Sequence, residues 1–469
     1  MKTWTRRQFG RGAGAAGLTV LCPHIGRSQA RARVIVIGGG IGGVSVAKYL
    51  AQATPAIDVT LVEPGEHYTT CFLSSLYLAG YRPLESLVHG YETLAQRYGV
   101  AVVRDAAAAI DPMGKTVRLK SGATLPYDRA VVAPGITFKY GDIEGYDEAA
   151  AQTMPHAWTG GPQIKLLRQQ LESMEDGGVF LLAAPPNPYR CPPAPYERVC
   201  LVAAYFRRFK PRAKILVIDA KDSFFGQNLF EDAWNRHYPG MIEWLPAQFT
   251  GGIKAVDVKA RSVMTEGVVF DAAVINIIPP QKAGSVAQQA GLAGRSGWCP
   301  VDPLTFESTL QAGIHLVGDA IIAGDMPKSA FSANNQAKAC AFAIKALLTG
   351  AAPVARDLFN TCYTHVAPDD AWSIASGFRV VEGRIKATHN SISKVEESAE
   401  TRRRVARDAE SWYAAFMQEV TGAPLSRVSR PTGDDRDGGR GDDASAIVDD
   451  CWRSPLRCGR NGVRQPLQP

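Results

Sequence analysis

Arg33-Val34-Ile35-Val36-Ile37-Gly38-Gly39-Gly40-Ile41-Gly42-Gly43 is the stretch that decides the fold. Its first half is a short β-branched apolar run, the pattern of a parallel strand buried on both faces. Its second half supplies Gly38-x-Gly40-x-x-Gly43, and Val44 to Leu50 continues as a helix. Asp58 to Val62 reads as the next strand and ends at Glu63. That acid stands roughly 20 residues beyond Gly43, the interval at which a carboxylate holds a ribose hydroxyl. Gly38 allows the tight turn, Gly40 lets the backbone approach a pyrophosphate, and Gly43 lets the helix pack close on the strand. The helix N-terminus then faces the phosphates. With strand, helix and acid in register, the pattern predicts a dinucleotide site. Glu63 in place of an arginine speaks against a 2′-phosphate.

Two later segments narrow the ligand. Tyr127-Asp128-Arg129-Ala130-Val131-Val132-Ala133-Pro134-Gly135 is an apolar strand entering a Pro-Gly turn. Gly313-Ile314-His315-Leu316-Val317-Gly318-Asp319-Ala320 is another strand, ending in Gly-Asp. In order and spacing they resemble the secondary signatures of flavoproteins with two dinucleotide domains, the glutathione-reductase-like class. The resemblance implies FAD, with Asp319 on its ribityl chain and Ala133 and Gly318 among the binding residues.

The middle of the chain repeats the plan without its glycines. Gly178 to Ala184 and Lys214 to Asp219 read as paired buried strands, the second ending in an acid. The turn after the first is Pro185-Pro186-Asn187-Pro188, and prolines carry no N–H to cradle a phosphate. The expectation is a domain that keeps its architecture and does not bind NAD, so electrons enter from a reductant other than a nicotinamide.

Composition sets the wider bounds. A chain of 469 residues is long enough for two or three domains, and 46% hydrophobic with 21% charged residues is ordinary for a globular protein. No apolar run is long enough to span a membrane as a helix. The net charge of +7 owes much to Lys2, Arg6, Arg7, Arg11 and Arg27 near the N-terminus, so nothing suggests a nucleic-acid partner. Those basic residues belong to what reads as an export leader. Thr5-Arg6-Arg7-Gln8-Phe9 is a twin-arginine pair, Gly12 to Leu21 is mildly apolar, and Ser28 and Ala30 are small. Cleavage after Ala30 or Ala32 would release the mature chain into the periplasm, where disulfides persist. Beyond Gly422, Arg430 to Asp443 is dense in Gly, Asp and Arg and, with Cys451 and Cys458, reads as a disordered tail.

Nine cysteines include no Cys-x-x-Cys and no Cys-x-x-Cys-His, so zinc ribbons, thioredoxin-type sites and c-type haem attachment are unsupported, and no metal site is expected. Cys200 and Cys340 sit in apolar helical patterns and read as small core residues. Cys191 is different: in Tyr189-Arg190-Cys191-Pro192-Pro193-Ala194-Pro195-Tyr196-Glu197 the flanking prolines predict a stiff extended loop. Cys362, in Asn360-Thr361-Cys362-Tyr363, follows a helix expected over about Ala333 to Leu348. In this fold class that helix follows the cofactor-contacting strand, so Cys362 should return near the flavin ring.

These segments resemble the flavoprotein subunit of flavocytochrome c sulfide dehydrogenase. The likeness is carried by Thr70-Cys71-Phe72-Leu73-Ser74, Arg190 to Glu197, Asn276-Ile277-Ile278-Pro279-Pro280-Gln281 and Gly297-Trp298-Cys299-Pro300-Val301-Asp302. It is carried further by Met326-Pro327-Lys328-Ser329, Ser332-Ala333-Asn334 and Asn360 to Tyr363, and it covers about Arg33 to Gly422. The resemblance implies FAD joined covalently to Cys71 through its 8α position. It also implies a redox disulfide between Cys191 and Cys362, and a c-type cytochrome subunit as heterodimer partner that alone carries haem. His365, Asp369 and Asp370 depart from the family, which usually has an apolar loop after the second cysteine.

The fold expected is α/β: two Rossmann-like dinucleotide-binding domains plus a small C-terminal α+β interface domain. The expected divisions are 1–30 leader, 31–150 first part of the FAD domain, 151–280 degraded NAD-like domain, 281–352 second part of the FAD domain, 353–422 interface domain and 423–469 tail. The chemistry implied is attack of sulfide on the disulfide, which leaves one persulfide and one thiolate. Electrons leave through FAD and sulfur or polysulfide is released. Glu197 is the candidate proton handler. Two rival readings share the fold: a sulfide:quinone oxidoreductase, which would need an apolar path to quinone, and a flavin electron-transfer module without sulfide chemistry.

Overall fold

A computed structural model of the chain describes residues 31–423. The expected leader and tail, with Cys22, Cys451 and Cys458, lie outside the described residues. In chain order the elements that matter are β1 (Ala32–Ile37), α1 (Ile41–Ala51), β2 (Ile57–Val62), β3 (Ala101–Val103) and β4 (Arg129–Val132). There follow β5 (Val179–Ala184), α2 (Ala194–Phe209), β6 (Lys214–Asp219), β7 (Ile242–Leu245) and β8 (Val274–Ile277). The chain continues with β9 (Ile314–Leu316), α3 (Ala330–Leu348), β10 (Leu358–Ala367), β11 (Asp370–Val381), β12 (Arg384–Ile392) and α4 (Ala399–Thr421).

The first sheet has the order β9-β4-β1-β2-β3, parallel throughout, with Val34 facing both Val59 and Arg129 in register. Its central strand is apolar on both faces, and Val34 and Val36 are fully buried. The second sheet, β7-β6-β5-β8, is also parallel and is built from chain lying between β4 and β9 of the first. The third, β10-β11-β12, is an antiparallel meander against which α4 packs. This is the expected α/β class: two parallel layers of dinucleotide-binding type and a smaller α+β layer.

Two helices start earlier than the apolar periodicity alone indicates. α1 takes in Ile41, Gly42 and Gly43, because Gly43 lies against the carbonyl of Gly38; a Cβ there would stand 1.8 Å from that oxygen. α3 begins at Ala330 because Ser329 caps it, accepting the N–H of Ser332 at 3.1 Å. Cys200 in α2 and Cys340 in α3 are fully buried core residues, as their patterns predicted. Among the described residues no helix is long and apolar enough to cross a membrane.

Candidate active site

A cavity of about 580 Å³ opens where the three layers converge. Its wall includes Gly38, Gly40, Glu63, Cys71, Ala133, Gly318 and Asp319 together with Cys191, Glu197 and Cys362. Gly43 is the one predicted site residue that does not line it; it holds the loop from behind, against Gly38.

The dinucleotide wall is shaped by close backbone approaches. Gly38 has φ +102°, and a Cβ there would meet the Ala133 carbonyl oxygen at 2.4 Å. Gly40 stands at the N-terminus of α1, where a Cβ would come to 3.8 Å from the Tyr68 ring, an ordinary contact. Glu63, past the end of β2, accepts the N–H groups of Gly39 (2.7 Å) and Gly65 (2.8 Å), which fixes its carboxylate at the cavity wall. Asp319 faces Arg190 at 3.9 Å; burial raises its carboxyl above the usual range, and Arg190 and Lys328 oppose that. Gln336 of α3 accepts the N–H of Gly318 at 2.8 Å.

The sulfur wall depends on α3. The N–H of Cys191 donates to the Lys328 carbonyl at 2.9 Å, and the next residue, Ser329, donates from its hydroxyl to Asn360 Oδ1 at 2.6 Å. Asn360 in turn reaches Cys362 Sγ at 3.6 Å. One helix start therefore holds both sulfur-bearing segments, although they are far apart in the chain. α2 and α3 both pack on β10, the strand of Cys362.

The loop at Cys191 corrects the sequence expectation. It is not extended: Cys191 has φ +56°, and α2 begins at Ala194 with Pro195 in its first turn. Proline breaks a helix interior but fits the first turn, where its missing N–H has no intrahelical partner anyway. A left-handed non-glycine residue costs about 1–3 kcal/mol, and such residues gather at functional sites. Leu73, two residues past Cys71, shares the feature at φ +62°.

Cys191 and Cys362 are separate thiols in this structure. Burial pushes the Cys191 thiol well up, with the field of Cys362 adding to it. Burial also pushes Cys362 up to about 11, against hydrogen bonds from Asn360 and Ser329. Glu197, in the first turn of α2, is raised by burial to about 7; the His365 N–H (2.9 Å) and Arg198 pull the other way. Neither thiol is a ready nucleophile at neutral pH, whereas the carboxyl can take or give a proton there.

His365 and Asp370, the departures after Cys362, serve the frame. Asp370 Oδ2 collects Arg236 (2.7 Å), His237 (2.8 Å) and Arg402 (3.3 Å), while Asp369 is an exposed turn residue. Among the described residues no cluster of His, Cys, Asp and Glu could hold a metal ion. Sequence reasoning assigned no role to Arg190, Lys328, Asn360 or Trp412. Arg190 lies between Asp319 and the Trp158 carbonyl, to which it donates. Lys328 donates to the carbonyls of Asp319 (2.8 Å) and Ile321 (2.7 Å), and burial lowers it to about 8. Arg190, Lys328 and Asn360 stand in the peculiar motifs, the one signal available; Trp412, on the distant α4, had none.

The residues fit a flavin dinucleotide. The helix start at Gly40, the glycine cradle, Glu63 and the half-buried Asp319 carboxyl suit the phosphates, ribose and ribityl hydroxyls. Trp158 and Trp412 line the cavity, and each has an indole N–H without an acceptor among the described residues.

Comparison with known proteins agrees. Residues 164–279 match the profile described as "Sulfide dehydrogenase [flavocytochrome c] flavoprotein chain, central", and 355–420 match "Flavocytochrome c sulphide dehydrogenase, flavin-binding". Residues 32–169 match "Pyridine nucleotide-disulphide oxidoreductase". The flavoprotein chain of sulfide dehydrogenase from Chlorobaculum thiosulfatiphilum is 56% identical over 43 residues, 9% of this chain and 90% of that sequence. The mitochondrial sulfide:quinone oxidoreductase of Mus musculus is 25% identical over 298 residues, 61% of this chain and 65% of that one. The chain thus spans just under two thirds of the mouse relative's length. Among solved structures, the sulfide:quinone oxidoreductase of Aquifex aeolicus superposes with a TM-score of 0.65 at 18% identity, over 83% of this chain and 92% of that one, a likeness of fold. The chain belongs to the family of the flavoprotein chain of flavocytochrome c sulfide dehydrogenase, within the pyridine nucleotide-disulphide oxidoreductases.

Proposed function

We propose that this protein oxidises sulfide to sulfur or polysulfide through Cys191, Cys362 and FAD, and passes the electrons to a c-type cytochrome subunit. The observation that carries this reading is the shared cavity: two cysteines and a carboxyl with a pKa near neutral face the dinucleotide loop. Because burial suppresses both resident thiols, the first nucleophile has to come from solvent. Hydrosulfide meets that need by attacking a Cys191–Cys362 bridge, forming one S–S bond as another breaks. The products are a persulfide on one cysteine and a thiolate on the other. Glu197 takes up the proton that sulfide gives away, and Asn360 donates to the sulfur of Cys362. When bound, FAD would supply the two-electron sink that lets the bridge reform as sulfur leaves. Cys71 would hold it covalently, with Gly38, Gly40, Glu63, Ala133, Gly318 and Asp319 around it.

The absence of NAD from the cycle is part of the proposal. Asp219, the acid topologically equivalent to Glu63, is fully buried. Tyr196 donates to it at 2.5 Å, Trp244 at 3.0 Å and Lys221 at 2.6 Å, which leaves no side of it open to a ribose. Export by the twin-arginine route to the periplasm, where the cytochrome would be met, rests on the leader pattern alone.

Electron transfer to a quinone is the second reading, favoured by the sulfide:quinone relatives. The test mixes purified protein with sulfide without oxygen and follows flavin absorbance. Cytochrome c or a short-chain quinone is then offered. Bleaching with rapid cytochrome reduction is expected; preference for quinone supports the second reading. Bleaching by dithionite but not sulfide overturns both and leaves an electron-transfer module. Cys191→Ser and Cys362→Ser should each slow sulfide bleaching on the order of a thousandfold or more.

A further inference from the structure

Cys71 stands between two residues that α4 grips. On one side, Thr70 Oγ1 and Tyr413 OH are 3.0 Å apart and buried. The same phenol meets His89 Nε2 at 2.9 Å and donates to the Ser86 carbonyl at 3.2 Å. One bond donated and two accepted exhaust what a tyrosine hydroxyl can do. On the other side, the Phe72 ring packs on Trp412, Tyr413 and Phe416, with centroids 6.1, 5.5 and 5.9 Å away.

The backbone of the loop is pinned as well. The Thr70 N–H donates to the Leu87 carbonyl at 2.9 Å, and Ser74 Oγ donates to the Cys71 carbonyl at 2.5 Å. Leu73 is held at φ +62° immediately before the short helix Ser74–Leu78. The residues flanking the thiol are held, while the thiol itself makes no hydrogen bond among the described residues and lines the cavity with Trp412. Phe72 needs only aromatic surface from α4. The Tyr413 hydroxyl does something packing does not require: it ties Thr70 to the 86–89 segment.

We propose that Tyr413 is a positioning residue for covalent attachment of the cofactor, so that the link at Cys71 is completed once the C-terminal helix has docked. This rests on the covalent link proposed above. In the step, the S–H bond of Cys71 and one C–H bond of the 8α methyl break and an S–C bond forms. Two electrons and two protons end on the ring system. An outside oxidant, dioxygen or a haem-type one-electron acceptor, then takes the electrons, and the protons leave to solvent. Such a step needs the sulfur held within about 3–3.5 Å of the carbon, the geometry that the Thr70 and Phe72 anchors restrict. The anchor lies late in the chain, so a polypeptide lacking a folded α4 could bind the dinucleotide loop's ligand and still not link it.

The test uses the full chain purified from flavin-starved cells, supplied with FAD and sampled over time. Total bound flavin is measured, together with the mass of the Cys71 peptide with and without flavin. Tyr413→Phe should bind as much flavin as the wild type but link it about fivefold more slowly, the worth of one neutral hydrogen bond. Thr70→Val should do the same, and Thr70→Ser should restore the rate. Equal linkage rates in Tyr413→Phe and wild type would overturn the proposal. So would a parallel loss of total and linked flavin, which would mark Tyr413 as a general fold residue. No flavin on the wild-type peptide would instead remove the covalent reading itself.

Discussion

The two parallel layers share one plan and use it in opposite ways. In both, a buried strand leads through a turn into a helix and a second strand ends at an acid: Glu63 in the first, Asp219 in the second. Glu63 bonds only backbone N–H groups, and its carboxylate stays at the cavity wall. Asp219 is spent on Tyr196, Trp244 and Lys221 inside the protein. The turns diverge likewise. Gly38 to Gly43 brings the backbone to the cavity, while Pro185 to Pro188 leads away to an exposed corner and then to Cys191. The helix of the second layer also has a different use, since the start of α2 carries Cys191 and Glu197 into the first layer's cavity. One topology can serve both uses because strand burial and ligand binding are separate demands.

The strongest way to break this contrast is at the turns. Gly43→Ala puts a methyl 1.8 Å from the Gly38 oxygen, which the loop cannot absorb without moving. Bound flavin should fall below detection, read from the ratio of flavin to protein absorbance. Pro186→Ala, at the equivalent turn and exposed, should leave flavin content unchanged and stability within about 0.5 kcal/mol. Flavin loss in Pro186→Ala would mean that the second turn still serves a ligand.

The acids sharpen the same contrast at smaller scale. Asp219→Asn leaves Lys221 without its buried partner and should cost about 3 kcal/mol of stability in urea unfolding, with flavin spectra intact. Glu63→Gln should do the reverse. It should weaken FAD binding roughly tenfold, measured in a Cys71→Ser background where flavin exchanges, with stability of the flavin-free chain nearly unchanged. NADH should fail to bleach the flavin in Asp219→Asn as in the wild type.

How far the sequence could be read follows from the range of each signal. Strands such as Lys214–Asp219 and the glycine turn are local patterns, written in consecutive residues, and the α/β class followed from them. Helix starts were displaced where a contact outside the apolar pattern decides, as at Gly43 and Ser329. The Cys191 loop departs from the extended form its prolines predict, because proline both breaks and begins helices and only the onset of α2 tells which. Tyr413, Trp412 and Asn360 matter through partners far along the chain, such as Thr70 and Ser329. No spacing rule reaches that distance. A tie between Cys191 and Cys362 is what the family likeness implies; in the structure they are separate thiols whose segments share an anchor on the start of α3.

Glu197 is carried by the second layer to the shared cavity, and its titration gives the subtlest expected effect. Its carboxyl is raised from 4.5 to about 7, chiefly by burial, so the folded protein holds this proton more tightly than the unfolded chain. The contribution to stability is therefore full below pH 4.5 and is lost as pH rises through about 7. Melting curves of sulfide-free protein should show the wild type losing stability across that window and Glu197→Gln losing less. Reactivity should run the other way, because only the ionised carboxyl accepts a proton from the entering nucleophile. The ratio of wild-type to Glu197→Gln bleaching rates should rise severalfold from pH 6 to 8; taking a ratio at each pH cancels the titration of sulfide itself. A flat ratio with the stability difference intact would reduce Glu197 to a buried acid that holds the His365 N–H, and the second layer would then give the cavity a sulfur and nothing to manage its proton.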